Sequence, residues 1–254
     1  MLTFYSQLLT GATGSLGAHI LAQLLPQDNV KTIYCLVRAS SASKAHDRVF
    51  STLAAKKLAS LPNTSRVICL PADLSRQDLG LDTAVINRLK KTLTTLIHGA
   101  WAVNFNLGVR SFEQQHIKGA YNLINLCLST STSQPAQFYF CSSISAAAGT
   151  PLPAVIAEAH VPELAHAQNM GYARSKLVTE RIVKAAAEQT GMVATVLRVG
   201  QIIGDSEQGI WNTTEAIPLM IQSAVTMGAL PALDEVRSPL TQVVPRPISG
   251  LRFN

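Results

Sequence analysis

Tyr172 and Lys176 stand four residues apart in the segment GYARSK, and at that spacing on a helix both side chains leave the same face. A phenol beside an ammonium can do acid–base chemistry. The cation stabilises phenolate, brings the tyrosine pKa down from about 10 towards the working range, and prepares the hydroxyl to give its proton to a developing alkoxide. Of the five tyrosines only Tyr172 has a lysine four residues on. A third hydroxyl is expected from FCSSIS, where Ser142, Ser143 and Ser145 end an apolar run. Ser143 is the candidate to touch a substrate oxygen, while at least one of its neighbours satisfies loop backbone.

The second pattern able to do chemistry is TGATGSLG, Thr10–Gly17, which follows the apolar pair Leu8 and Leu9 and precedes an amphipathic run through Leu16, Ile20 and Leu24. Strand, tight turn and helix in that order make a phosphate site. Gly11, Gly14 and Gly17 let the backbone approach a pyrophosphate, and the helix N-terminus offers free amides and a positive dipole end. A P-loop is disfavoured, because it needs a lysine directly after its last glycine and here Ala18 follows Gly17. With Tyr172 and Lys176, this turn describes a nicotinamide-dependent reductase.

Behind these residues lies an alternation of elements. Apolar runs at Thr32–Val37, Val67–Leu70, Thr95–His98, Gln137–Cys141 and Ala194–Val199, with the first strand, give six strands. Helical patterns such as Lys44–Leu58, Phe112–Leu128 and Ala173–Glu188 join them. Alternation of this kind predicts an α/β fold: a doubly wound parallel sheet of the Rossmann type, with helices on both faces. Ser6 and Gln7 are out of place where a buried parallel strand would be apolar.

The frame agrees with one globular domain and a small lobe: 254 residues, 47% apolar and 14% charged. No apolar run reaches membrane-spanning length, and MLTFYSQLL has neither a basic start nor a small-residue cleavage site, so a cytosolic location is expected. Cys35, Cys69, Cys127 and Cys141 lie in apolar patterns without CxxC spacing and read as reduced core residues. The net charge of +6 has one source: from Lys31 to Arg66 there are seven Lys or Arg against Asp47 alone. No aromatics alternate with these charges, which argues against nucleic acid. A phosphate on a small ligand is the simpler target.

That basic segment also bears on cofactor choice. An NAD enzyme places an acid about 20 residues beyond the glycines to bind the ribose 2′-hydroxyl, yet no acid occurs between Asp28 and Asp47. Instead the second strand runs into Arg38, with Ser40, Ser41, Ser43, Lys44 and Arg48 close by. A guanidinium pairing with a 2′-phosphate is the physical reading, which favours NADPH over NADH. After the third strand, Asp73 can accept a hydrogen bond from an adenine amino group or cap the next turn.

Taken together the residues resemble the extended short-chain dehydrogenases/reductases. Within them they resemble the thioester reductase domains of fungal non-ribosomal peptide synthetases and of carboxylic acid and aminoadipate reductases. The likeness runs from Leu8 to Leu233, through TGATGSLGAHIL, YCLVRA, HGAWAVNF, SSISAAAG, GYARSKLVTER, LRVGQIIGD and GIWNTTEAIPLMI. It implies cofactor contacts from Thr10, Gly11, Thr13, Gly14, Ser15, Leu16 and Gly17, from Arg38 and Arg48 at the 2′-phosphate, and from Asp73 and Leu74 at adenine. Ser143, Tyr172 and Lys176 would form the reaction centre, the last two also touching the cofactor, and no metal is expected.

The resemblance also implies the substrate, an acyl thioester on a carrier domain's phosphopantetheine arm. NADPH would reduce its carbonyl carbon while Tyr172 protonates the oxygen, and the hemithioacetal would collapse to aldehyde and thiol, with a second reduction to alcohol left open. Residues 1–200 are expected to form the NADP-binding domain and residues 201–254 a shortened substrate lobe, since the chain reads EVRSPLTQVVPRPISGLRFN where relatives continue that lobe. Two other readings share the same residues: a reductase of acyl-CoA or a small carbonyl, and an NADP-holding remnant without catalysis.

Overall fold

A parallel strand buried on both faces is largely apolar, and the six strands follow that pattern with isolated polar residues such as Ser6, Gln7, Thr95, His98, Ser142 and Arg198. The computed structural model describes residues 5–58 and 60–228. Its strands are β1 (Tyr5–Thr10), β2 (Val30–Val37), β3 (Val67–Pro71), β4 (Leu93–His98), β5 (Gln137–Ser143) and β6 (Ala194–Val199). They form one sheet in the order β3-β2-β1-β4-β5-β6, with every pairing parallel. This is the doubly wound order in which the chain reverses direction across the sheet after β3, opening a crevice at the carboxyl ends of β1 and β4. Ser6 and Gln7, polar residues of β1, are buried where its register against β2 and β4 shifts.

The helices are α1 (Ser15–Leu24), α2 (Ala42–Ala55), α3 (Thr83–Thr92), α4 (Lys118–Leu128), α5 (Gly171–Thr190) and α6 (Ala216–Met227). Two hydrophobic layers sandwich the sheet. One packs Leu21 of α1 and Val49 and Leu53 of α2 against Leu9, Ile33 and Val37. The other packs Leu89 of α3, Leu123 and Cys127 of α4 and Val183 of α5 against Leu8, Phe138 and Phe140. All four cysteines are buried and none is in a disulfide.

One helix departs from the sequence pattern. The run expected to be helical from Phe112 begins with a 3₁₀ turn (Val109–Phe112) and a π turn (Glu113–Ile117), and only Lys118–Leu128 is α-helical. Fully buried Phe112 keeps the apolar periodicity going, so periodicity alone does not reveal the wider turn. That turn rotates Gln115 and His116 to positions a continuous α-helix would not give them.

The chain divides into two compact units, Met1–Val199 and Gly200–Asn254. The first holds the sheet. In the second, the Asp205 carboxylate accepts hydrogen bonds from the backbone amides of Glu207, Gln208 and Ile210, and α6 follows with Leu219 and Ile221 half exposed. The atypical tail from Glu235 lies outside the described residues.

Candidate active site

The glycine turn joins β1 to α1 so tightly that side chains are excluded. A Cβ on Gly17 would stand 2.1 Å from the Gly11 carbonyl oxygen, and one on Gly11, whose φ is +87°, would stand 2.7 Å from the Gly99 carbonyl carbon. α1 starts at an N-cap glycine, Gly14, with no side-chain cap and no acid in its first turn. Its first amides therefore remain free for an anion, the donor set a pyrophosphate requires. Thr10 sits beneath the turn and is fully buried. Its hydroxyl is committed to His98 Nδ1 at 2.7 Å and to the Ala100 amide at 3.1 Å. Lys56 Nζ donates to Ser15 Oγ at 3.0 Å, bringing a cation to the start of α1 that the motif alone does not announce.

At the carboxyl end of β2, Ala39, Ser40, Lys44, Asp47, Arg48 and Ser51 line a cavity of ≈ 470 Å³. Arg38 lies exposed beside it. Ser41 caps α2 by accepting from the Lys44 amide at 3.2 Å, and Arg48 Nη1 donates to the Arg38 carbonyl. The site is basic but not purely so, because Asp47 shares its wall. After β3, Asp73 Oδ1 accepts from the Ser75 amide at 3.0 Å, from Ser75 Oγ at 2.6 Å and from Gln115 Nε2 at 3.2 Å. These bonds, Ser75's first, hold its pKa below the usual carboxylate value. Of the two roles open to Asp73, the turn is thus made by Oδ1. Leu74 is fixed by Asn122 of α4, whose Nδ2 donates to its carbonyl at 2.9 Å.

The candidate hydroxyls, of Ser143 and Tyr172, come together where β5 ends and α5 begins. Ser143 closes β5 and caps the short 3₁₀ turn after it. Its Oγ accepts from the Ser145 amide at 3.2 Å and from Ser145 Oγ at 2.9 Å. With both acceptor sites occupied, its own proton is free to be donated, and the Ser143 hydroxyl lies close enough to the Tyr172 phenol to pull its pKa down. Tyr172 is the second residue of α5, held close by Gly171, where a Cβ would meet the Leu107 carbonyl oxygen at 2.2 Å. Burial raises the Tyr172 pKa, with the Ser143 hydroxyl opposing.

This corrects the expectation of a phenol acidified by its lysine. Lys176 is buried and donates from Nζ to the Cys141 carbonyl oxygen at 2.6 Å. It stands 4.2 Å from the Trp101 ring centroid, 4.8 Å from that of Phe140 and 5.8 Å from that of Tyr172. Burial brings its own pKa down to about 7. The physical reason is that Lys176 is aimed down towards the sheet, not along the helix towards the phenol.

Other functional groups escaped sequence reasoning. Glu180, one turn beyond Lys176, is buried and accepts from Ser142 Oγ at 2.5 Å and from Arg198 Nη2 of β6 at 2.7 Å. His98 and His116 flank Trp101, with centroids 5.9 and 4.9 Å away. Burial depresses them to about 3 and about 4. A lone arginine inside the apolar strand ATVLRV, and a glutamate four residues after Lys176, are the signals that could have exposed the Glu180–Arg198 pair. Among the described residues no cluster of His, Cys, Asp or Glu could hold a metal ion, and no helix is long and apolar enough to cross a membrane.

Comparison with known proteins identifies the family and the fold. The model of an NAD-binding family described as male sterility protein matches residues 9–246. An adenylate-forming reductase, Nps10, of Heterobasidion annosum is 38% identical over 88% of this chain, and a carboxylic acid reductase of Neurospora crassa 35% identical over 88%. In both cases the chain spans about a fifth of the relative's length (20%). Among solved structures, the terminal R domain from the myxalamid PKS-NRPS biosynthetic pathway superposes with a TM-score of 0.80 at 27% identity, covering 91% of this chain and 58% of that one.

Proposed function

This chain belongs to the NAD-binding family described as male sterility protein, and from that premise we propose that it is an NADPH-dependent reductase of acyl thioesters carried on a phosphopantetheine arm. The observation that carries this reading is that Ser143, closing β5, and Tyr172, in the first turn of α5, come together at the carboxyl edge of the sheet, with Lys176 one turn on. Reductase names among the relatives support the reaction class, and the Arg38, Lys44 and Arg48 cluster supports the choice of a 2′-phosphorylated cofactor.

In this reading Gly11, Gly14 and the first amides of α1 hold pyrophosphate, with Thr13, Ser15, Leu16 and Gly17 shaping the turn. Arg38 and Arg48 bind the 2′-phosphate, and Asp73 and Leu74 border adenine. When bound, NADPH supplies hydride to the thioester carbonyl carbon. Ser143 donates a hydrogen bond to the carbonyl oxygen. Tyr172, kept protonated by burial, gives that oxygen its proton as charge develops, and the hemithioacetal then splits into aldehyde and thiol. Residues 1–200 are the cofactor domain and 201–254 part of a substrate lobe. We place the protein in the cytosol, since four buried thiols outside any disulfide suit a reducing compartment.

The test is NADPH consumption with an acyl-phosphopantetheine thioester, beside Tyr172→Phe and a direct NADPH titration. Turnover in the parent chain that the substitution removes is the expected result. Turnover with acyl-CoA or small carbonyls but not with carrier-bound thioester would overturn the substrate assignment. NADPH binding without any turnover would overturn the catalytic one.

A further inference from the structure

An ammonium taken out of water needs compensation, and Lys176 receives little of the usual kind. Among the described residues no carboxylate lies within ion-pair distance of it. Glu180, on its own helix, is already engaged by Arg198 of β6 and Ser142 of β5. The titratable groups facing it from other elements are the Cys141 thiol of β5, His98 of β4 and His116 of the π turn, and the two imidazoles are depressed by the lysine's own charge in addition to burial. What remains is one hydrogen bond to the Cys141 carbonyl and three ring faces, of which Trp101 is nearest at 4.2 Å, ahead of Phe140 at 4.8 Å and Tyr172 at 5.8 Å.

Trp101 has a second attachment. Its indole Nε1–H donates to Ser175 Oγ at 3.3 Å, and Ser175 Oγ donates to the Tyr172 carbonyl oxygen at 2.7 Å. Ser175 is fully buried, so this relay is shielded from water. Trp101 thus touches the ammonium with its ring and the first turn of α5 with its edge.

We propose that Trp101 is a positioning residue of the reaction centre, its ring face holding the Lys176 ammonium and its N–H, through Ser175, fixing the turn that carries Tyr172. The proposal rests on reading Tyr172 and Lys176 as that centre. It extends the reading by giving the lysine a resting place and by coupling the two residues through a third that neither motif contains.

Two variants separate the functions of ring and edge. Trp101→Phe keeps a π face and loses the donor, whereas Trp101→Leu loses both. The kcat is expected to fall about 30-fold in Trp101→Leu, as loss of a desolvated cation–π contact implies, and less in Trp101→Phe. The alkaline limb of the kcat profile moves to lower pH in the leucine variant, because the protonated lysine has lost its stabiliser, and stays in place in the phenylalanine variant. Equal losses with unmoved pH profiles would reduce Trp101 to packing and overturn the proposal.

A readout independent of turnover uses Trp211→Phe, which leaves Trp101 as the one tryptophan. Its emission should titrate near pH 7, and Lys176→Met should abolish that titration. Emission flat through this range would overturn the proposal even if no thioester were turned over. A chain lacking turnover but showing the titration would retain Trp101 as the lysine's partner and discard the assigned reaction instead. This arm also decides the matter should Trp101→Leu fail to fold.

Discussion

Two groups of cations stand at the carboxyl edge of one sheet, and their surroundings make them different reagents. Beyond β2, Arg38, Lys44 and Arg48 lie exposed around an open cavity, where water keeps them charged and ready for a phosphate. Beyond β5, Lys176 is 3% exposed, roofed by Trp101 and tied to the Cys141 carbonyl, and its ammonium is destabilised enough to titrate at about 7. An exposed cation binds; a buried one becomes a group whose charge depends on its neighbours. The carboxylates repeat the contrast. Asp47, at the open cavity, is 62% exposed and lies 3.8 Å from His46, whereas Glu180 is 1% exposed and holds Ser142 and Arg198 together.

The sharpest way to break this comparison is Tyr172→Phe, which removes the proposed proton donor and leaves the open site untouched. Turnover should fall by about 10² to 10⁴ with NADPH affinity unchanged in a fluorescence titration; a matching loss of affinity would mean that the two sites are not separable. Next comes Glu180→Ala, which strands Arg198 without its partner. The expected cost is about 3–5 kcal/mol, read from urea unfolding, and a much smaller value would mean that water reaches the pair.

Arg38→Ala tests the exposed group. NADPH affinity should fall roughly 10- to 100-fold, the value of a charge-assisted hydrogen bond, with NADH affinity unmoved and the difference shrinking in high salt. Equal weakening of both cofactors would remove the 2′-phosphate assignment. The smallest effect is one of pH. Lys176 is neutral in the folded chain above about 7 but charged in the unfolded chain until its ordinary value of 10.5. Between those values the unfolded state binds more protons, so the lysine's contribution to stability rises with pH and is lost as pH falls through 7. Melting temperatures from pH 7 to 10 should show a rise that Lys176→Met flattens.

Much of the scaffold was legible because parallel strands are apolar and short: the run Ala194–Val199 coincides with β6, and Gln137–Cys141 falls two residues short of β5. The motif residues were legible because their types are unusual at their spacing. What the sequence concealed depends on direction. Nothing in GYARSK says that Lys176 points at Cys141 instead of at the phenol, and no local pattern links Trp101 to Ser175 or Glu180 to Arg198, whose partners come from distant segments. The π turn was hidden for the opposite reason, since Phe112 kept a helical rhythm that the backbone does not follow.

The strand order β3-β2-β1-β4-β5-β6 has a temporal consequence as well. As the chain emerges from the ribosome, every residue of the glycine turn and the basic cavity has been added once Ser51 is in place. Ser143, Tyr172, Lys176 and the β6 arginine that steadies Glu180 come only much later. The half of the crevice proposed to hold the nucleotide is thus laid down in sequence well before the half proposed to do chemistry, and β1, at the centre of the sheet, waits for β4 to cover its second edge. Because every pairing in this sheet is parallel and needs a crossover, its contacts are non-local, and the chain is expected to fold slowly.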